Sequence, residues 1–223
     1  LYDMQNNGVI NISEVIKTVD GSFAYNDSKV VVIVFKRIEG SSTMKYDRDE
    51  YYKLLKSIHS VDYSRYGITI KREIFDFSFE TELIQNIKLL RNHIDIQEMI
   101  GINKEFISNV EDRIKLFHDI MMECQETDFD LRITHGDALG NIIHGVDNKI
   151  YLIDWDDVLL APIERDLWYH EGDPLINLYY PNYKKSELAY SYYLIRRFLD
   201  DLSGFLDEIF NESTSNEEID ANI

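Results

Sequence analysis

Residues 134–168 read THGDALGNIIHGVDNKIYLIDWDDVLLAPIERDLW. His135, Gly136 and Asp137 follow a short strand-like run and sit in a Gly-containing loop. Asn141 opens a second strand-like run over residues 141–144, and a third over residues 149–153 ends at Asp154. Between them, Gly145-Val146-Asp147-Asn148 has the composition of a hairpin turn. A hairpin brings its two ends together, so Asn141 and Asp154 are expected to be neighbours. Asp137 lies a few residues upstream of that same end. An Asn oxygen beside an Asp carboxylate is a hard donor pair, better suited to Mg2+ than to zinc. One further carboxylate next to it fits phosphoryl transfer, where positioning and charge neutralisation do most of the work.

Upstream of this window the chain changes character at Gly40. Residues 9–18 and 22–25 read as strands around the turn pair Asp20-Gly21. Residues 29–38 are nearly all β-branched or aromatic. A run apolar on both faces predicts a strand buried between other elements. After Gly40 helices dominate. Tyr51, Leu54, Leu55 and Ile58 fall at helical spacing, predicting a helix over about residues 47–59. Leu83, Ile84, Ile87 and Leu90 mark a second. Phe106, Val110, Ile114, Phe117 and Met121 mark a third, long one, with Asn103 as its expected cap. Residues 188–209 carry a final helix, and residues 211–223 read as an acidic, disordered tail.

The 223 residues are enough to bury a sizeable core, and 44% hydrophobic with 13% aromatic residues excludes global disorder. No apolar stretch approaches the roughly 20 residues of a membrane-spanning helix, and no membrane partner is expected. The net charge of −18 argues against a nucleic-acid partner, which needs clustered cations. Such a field attracts a small cationic substrate, or serves only to keep the protein soluble. The lone Cys124 cannot form an internal disulfide, and with no secretory signal expected the compartment is a reducing cytoplasm.

The window resembles the catalytic core of the aminoglycoside phosphotransferases, within the protein-kinase-like fold. That family places a loop of the form H-G-D-x-x-x-x-N before a hairpin ending in I-D-W, with a D-L pair further on. The matching residues are His135-Gly136-Asp137, Asn141, Ile153-Asp154-Trp155 and Asp166-Leu167. The runs Asp154-Trp155-Asp156-Asp157, Leu160-Ala161-Pro162 and Glu164-Arg165-Asp166-Leu167 are most similar to the spectinomycin phosphotransferase branch. So are the aromatic helix from Ala189 and the run Phe35-Lys36-Arg37-Ile38-Glu39-Gly40. The resemblance implies an α+β fold: a mostly helical C-lobe with a short catalytic hairpin (residues 40–210), preceded by the last strands and hinge of a truncated β-rich N-lobe (residues 1–39).

It also implies roles. Asp137 would be the catalytic carboxylate facing the acceptor hydroxyl. Asn141 and Asp154 would hold Mg2+ against the phosphates of ATP or GTP. The backbone of Lys36 and Ile38 would meet the adenine edge. His135 and Asp166 would support the loop. Read from the residues and not from the resemblance, Asp156, Asp157, Glu164, Glu171 and Asp173 either grip a cationic aminocyclitol or form a solvated acidic surface. The implied activity is transfer of the nucleotide γ-phosphate to a hydroxyl of an aminoglycoside or aminocyclitol antibiotic. Choline- and homoserine-type kinases share this core, so the acceptor stays open, as do the choice of nucleotide and the oligomeric state.

Two departures from the family pattern stand out. The family's Asn lies five residues after its Asp, whereas Asn141 lies four after Asp137. No Gly-rich phosphate loop is present, and Lys17 in Val15-Ile16-Lys17 reads as an ordinary hairpin residue. With Leu1 in place of Met, these features lead to the expectation that the chain begins inside the N-lobe. They also leave a catalytically impaired, kinase-like binding module as an alternative. A metal-dependent phosphoesterase built on His135, Asp137, His144 and Asp154 is a further one. His59, His93, His118 and His170, in or near helices, read as structural or exposed. Cys124 has no activating neighbour beyond acids and reads as inert.

Overall fold

The computed structural model describes residues 1–42, 45–65 and 70–220. In chain order it contains α1 (Tyr2–Asn6), β1 (Val15–Ile16), β2 (Tyr25–Asn26), β3 (Val31–Val32), β4 (Val34–Phe35), β5 (Gly40–Ser42) and α2 (Arg48–His59). Then come α3 (Glu80–Asn92), α4 (Ile94–Ile100), α5 (Lys104–Glu126), β6 (Arg132–Thr134), β7 (Ile142–Gly145) and β8 (Ile150–Leu152). The chain continues with β9 (Leu159–Ala161), α6 (Glu164–Leu167), α7 (Pro174–Tyr179) and α8 (Glu187–Asp220). The fold is α+β, with two compact units. Residues 1–73 and 129–185 form one, and residues 74–128 with 186–223 form the other. The composition shift at Gly40 falls inside the first unit.

The first unit holds the strands. β7 and β8 form the expected hairpin, with Ile142 opposite Leu152 and His144 opposite Ile150. β5 adds to the other edge of β7, Gly40 facing Gly145. Gly40 is required there: a Cβ would overlap the His144 carbonyl oxygen. On the far side of β8, Leu152 bridges Ile12 in parallel and donates its amide to the Asn11 carbonyl at 2.9 Å. β6 pairs with β9, Thr134 opposite Leu159. These pieces close on a core of Val9, Ile12, Tyr51, Tyr52, Leu55, Ile58, Ile133, Ile142, Ile150, Leu152 and Trp155. α2 contributes the periodic face predicted for it. Its start is set by Asp47, whose carboxylate accepts from the Asp49 and Glu50 amides.

The second unit is helical. Asn103 caps α5 as expected, accepting from the Phe106 amide at 2.8 Å. α3 and α5 pack against α8, burying Leu83, Leu90, Phe117, Tyr192, Leu199 and Leu206. Phe117 sits 4.8 Å from the Phe77 ring and 5.2 Å from Tyr192, centroid to centroid. α8 continues through Asp220, ten residues into the segment expected to be disordered. No Gly or Pro in residues 211–220 interrupts it. Residues 221–223 of the expected tail lie outside the described residues.

The expectation for residues 29–38 needs correction. They form two separate two-residue pairings: β4 with β1, and β3 with β2. Val30, Val31, Val32, Ile33, Val34 and Phe35 are 43–61% exposed. Apolarity on both faces states what a strand can bury, not what covers it. The Asp20-Gly21 turn does form, with the Gly21 amide donating to the Thr18 carbonyl. Its flanking strands, however, pair elsewhere. Lys17 is a surface cation over the rings of Tyr2 (4.3 Å) and Phe23 (4.9 Å).

Candidate active site

The site grows from the β6 end, the β7–β8 hairpin and α6, all in the first unit. β6 delivers His135, Gly136 and Asp137 into a loop that lies on the Asp166 carboxylate of α6. The His135 amide donates to Asp166 Oδ2 at 2.9 Å, and the Gly136 amide to Oδ1 at 2.6 Å. Gly136 has φ +93°, and a Cβ there would run into the Arg165 guanidinium. Only glycine accepts both conditions cheaply. Arg165 is held in turn by the Thr134 hydroxyl, at 3.2 Å.

His135 is buried, and both of its ring nitrogens are engaged. Nδ1 accepts from the Asp137 amide at 3.3 Å, and Nε2 donates to the Ile153 carbonyl at 2.9 Å. The ring therefore ties the loop to the end of β8. It packs against Trp155 at 4.8 Å. Both nitrogens are thus taken up by bonds within the loop and to the end of β8.

Asp137 is exposed, and Asn141 is half-buried beside it. Asn141 Nδ2 donates to the Asp137 carbonyl at 2.9 Å and to Asp137 Oδ2 at 3.2 Å. Its backbone carbonyl accepts from the Ile153 amide at 3.0 Å, next to Asp154. The three residues expected to meet are thus brought to one place, despite the shorter spacing between Asp137 and Asn141. With its NH2 committed to Asp137, the Asn141 amide leaves Oδ1 without a hydrogen bond among the described residues. Asp154 is exposed and holds φ 62°, a left-handed conformation that Asp tolerates better than most residues. Such strained carboxylates concentrate at working sites.

The donor set tests the fit to a metal. Among the described residues, no group of three or more His, Cys, Asp or Glu side chains could hold an ion alone. Asn141 Oδ1 and the Asp154 carboxylate are two hard oxygens. Mg2+ characteristically takes one or two such protein ligands and completes its shell with waters and substrate phosphates. The pair fits that mode, and does not fit a closed structural metal site.

Asp166 is fully buried. Burial pushes its carboxyl up, but the His59 hydrogen bond and the electrostatic influence of His59, Arg165 and His135 more than offset this and hold it at about 2. It is therefore ionised at neutral pH and acts purely as an acceptor. The His59 contact was not legible in the sequence, where His59 is one more histidine on a helix. Its position at the end of the buried face of α2 was the only available signal.

Lys36 and Ile38 line a cavity of about 930 Å³ together with Ile12, Glu14, Val15 and Tyr151. The Lys36 amide donates to the Glu14 carbonyl at 2.8 Å. Among the described residues no hydrogen bond engages the Lys36 carbonyl or the Ile38 amide. Asp156 and Asp157 sit in the exposed turn after Trp155. The acids further along are committed to structure. Glu164 is buried against the Tyr183 hydroxyl, and Asp173 caps α7, accepts from Tyr52 and pairs with Arg48. Glu171 pairs with Lys185.

A His-Gly-Asp loop resting on a buried carboxylate, beside an Asn and an Asp at a hairpin mouth, is the arrangement expected from the resemblance to the kinase-like phosphotransferases. Comparison with known families agrees. Residues 4–173 match the phosphotransferase enzyme family, APH, and the chain belongs to it. It is a nucleotide-dependent phosphotransferase acting on hydroxyl groups.

Among solved structures, the fold is similar to spectinomycin phosphotransferase APH(9)-Ia in complex with ADP and spectinomycin. The TM-score is 0.60 and identity 21%, covering 92% of this chain and 69% of that one. The AMP-bound complex of the same enzyme gives 0.58 and 20%, covering 96% and 74%. A choline/ethanolamine kinase family protein from Mesorhizobium loti gives 0.50 and 11%, covering 96% and 69%. No curated protein sequence matches. Among the described residues, no helix is long and apolar enough to cross a membrane.

Proposed function

We infer that the chain moves the γ-phosphate of ATP or GTP to a hydroxyl of a cationic aminoglycoside or aminocyclitol antibiotic. The observation that carries this reading is the Asn141 amide, bonded to both the carbonyl and the carboxylate of Asp137 while its own backbone holds the strand end next to Asp154. Asp137 orients the acceptor hydroxyl. As the new O–P bond forms and the bond from phosphorus to the β,γ-bridging oxygen breaks, Asp137 takes the hydroxyl proton late. A carboxylate is too weak a base to take it earlier. Asn141 and Asp154 would hold Mg2+, which, when bound, neutralises the phosphate charge. The Lys36 carbonyl and Ile38 amide offer one acceptor and one donor to a purine edge. The ADP and AMP in the spectinomycin phosphotransferase complexes support an adenine nucleotide. A net charge of −18 and the exposed pair Asp156 and Asp157 favour a cationic acceptor.

The test is thermal melting with Mg-ATP and Mg-GTP, together with transfer of labelled γ-phosphate to a panel of spectinomycin, kanamycin, choline and homoserine. Nucleotide at about 100 times its dissociation constant should add roughly 2.7 kcal/mol. That is a rise of about 5–10 °C for a chain of this size. Asp154→Ala should abolish the rise. Asp137→Asn should keep it while removing transfer. A nucleotide shift that survives Asp154→Ala, or transfer that survives Asp137→Asn, would overturn the assignment.

A further inference from the structure

α6 presents a second side chain to the loop, one residue before Asp166. Arg165 is buried, and its guanidinium lies so close to Gly136 that a Cβ on that residue would overlap it. Nη1 donates to the Thr134 hydroxyl oxygen at 3.2 Å, and that hydroxyl donates in turn to the Leu159 carbonyl at 3.2 Å. Nε lies 4.0 Å from Glu73 Oε2, an ion pair whose side chains are 9% and 5% exposed. Glu73 is itself fixed through its backbone. Its amide donates to the Leu160 carbonyl at 2.9 Å, next to the parallel bridge between Arg72 and Leu160. Leu160 is in turn opposite Ile133 of β6, the strand that carries the loop. One guanidinium therefore meets Glu73, Thr134 and Gly136, and the last two flank His135 directly before Asp137.

We propose that Arg165 is a positioning residue for the catalytic loop, its flat guanidinium forming the floor on which the Gly136 backbone rests, with Glu73 and Thr134 fixing the orientation of that plane. This deepens the functional reading and rests on Asp137 being the carboxylate that meets the acceptor. The two amide bonds to Asp166 draw the loop towards α6, and the guanidinium sets how far it can come. A planar group held at two of its nitrogens cannot swing aside. Glycine lets the backbone lie this close at positive φ. A buried cation needs a charged or hydrogen-bonded partner, which Glu73 and Thr134 supply. Lysine would bring the charge without the plane or the fork of donors. A loop displaced by about 1 Å costs on the order of a hundredfold in rate.

The test separates plane from charge. Arg165→Lys keeps the charge opposite Glu73 and loses the plane. Arg165→Met keeps the stem and loses both. In 15N-labelled chain, each should move the amide resonances of Gly136 and Asp137, and Glu73→Gln should move them the same way by less. In turnover, Arg165→Lys and Arg165→Met should each lower kcat by about 10- to 100-fold, with KM for nucleotide and acceptor within about twofold. A size swap probes the contact itself. Gly136→Ala drives a Cβ into the guanidinium, and Arg165→Ala removes the guanidinium. The double variant should therefore keep a kcat at least about threefold above the value obtained by multiplying the two single losses.

An Arg165→Lys chain that matches the parent in kcat and in both amide resonances would overturn the proposal, because charge alone would then suffice. So would unmoved Gly136 and Asp137 amides in Arg165→Met, or Gly136→Ala and Arg165→Ala losses that simply multiply. Should Arg165→Met or the Ala variants not fold, the Arg165→Lys and Glu73→Gln spectra decide alone. Asp137→Asn separates the two readings. Transfer that survives it removes the catalytic role of Asp137, whereas the loop amides judge Arg165 by themselves.

Discussion

Replacing Asp166 by Asn tests how much the buried carboxylate carries. The swap keeps shape and volume but turns one of two acceptors into a donor. Oδ2 accepts from both the His135 amide and His59, and Oδ1 accepts from the Gly136 amide. An Asn that keeps its oxygen at the Oδ2 position aims its NH2 at the Gly136 N–H, which sits 2.6 Å from Oδ1 in the parent chain. One buried donor then goes unpaired, costing about 1–3 kcal/mol, and two bonds lose charge assistance, costing about 1 kcal/mol each. The expected loss is about 3–5 kcal/mol at pH 7, in the range seen when one partner of a buried charged pair is removed. For a chain of this length that lowers the melting temperature by roughly 6–20 °C.

The pH dependence supplies a second, independent reading. The Asp166 carboxyl is held below its ordinary value of 3.8, at about 2. A depressed carboxyl stabilises the fold at pH values above its unfolded value, and that stability is lost as pH falls through the folded value. The drop corresponds to about 2 kcal/mol, given up between about pH 4 and pH 2. The Asn variant has no such group to protonate. The gap between parent and variant should therefore narrow as pH falls across that window. Urea midpoints at pH 7, 4 and 2.5, at fixed ionic strength, measure both effects. A variant within 1 kcal/mol of the parent at pH 7, or a gap that stays constant down to pH 2.5, would refute the reasoning.

Three further outcomes follow from single contacts. Gly136→Ala places a Cβ at φ +93° and against the Arg165 guanidinium. It should cost more than about 2 kcal/mol, and a melting temperature within 1 °C of the parent would contradict the close approach. Phe117→Ala empties a site that is 0% exposed between Phe77 and Tyr192. A loss of about 3–5 kcal/mol is expected from denaturant unfolding of the second unit's helices, and less than 1 kcal/mol would mean that the site collapses or is not packed. Cys124 is 1% exposed on α5, so a thiol reagent should react with it only after urea is added, and stoichiometric labelling of the native chain would show that α5 opens there.

The division between what could be read early and what could not follows the range of the interactions. The meeting of Asn141 with Asp154 was legible because a hairpin is local: once residues 145–148 are read as a turn, the register places Ile142 opposite Leu152 and the two ends come together. The helices α2 and α5 were legible for the same reason, since their faces repeat within a few residues. The shortened Asp137-to-Asn141 spacing looked like a defect, yet the side-chain amide still reaches the backbone carbonyl and one carboxylate oxygen of Asp137. Spacing counts residues, while reach depends on the path of the loop, and that path is set by Asp166 from outside it.

Sequence alone therefore determined the chemistry on offer: the His-Gly-Asp loop, the hard-oxygen pair at a hairpin mouth, the acidic field and the amphipathic helices. These are carried by residue type and short-range periodicity, which folding does not alter. Tertiary structure decided which of those residues are tied into buried bonds and which stay exposed. It joined His59 to Asp166 across 107 positions, and Tyr180 to His59 across 121. It committed Glu164 and Asp173 to structural bonds and left Asp156 and Asp157 exposed. It also left residues 30–35 at the surface, where their pattern had promised a buried strand. Burial and long-range pairing depend on what the rest of the chain brings alongside, and no local pattern contains that.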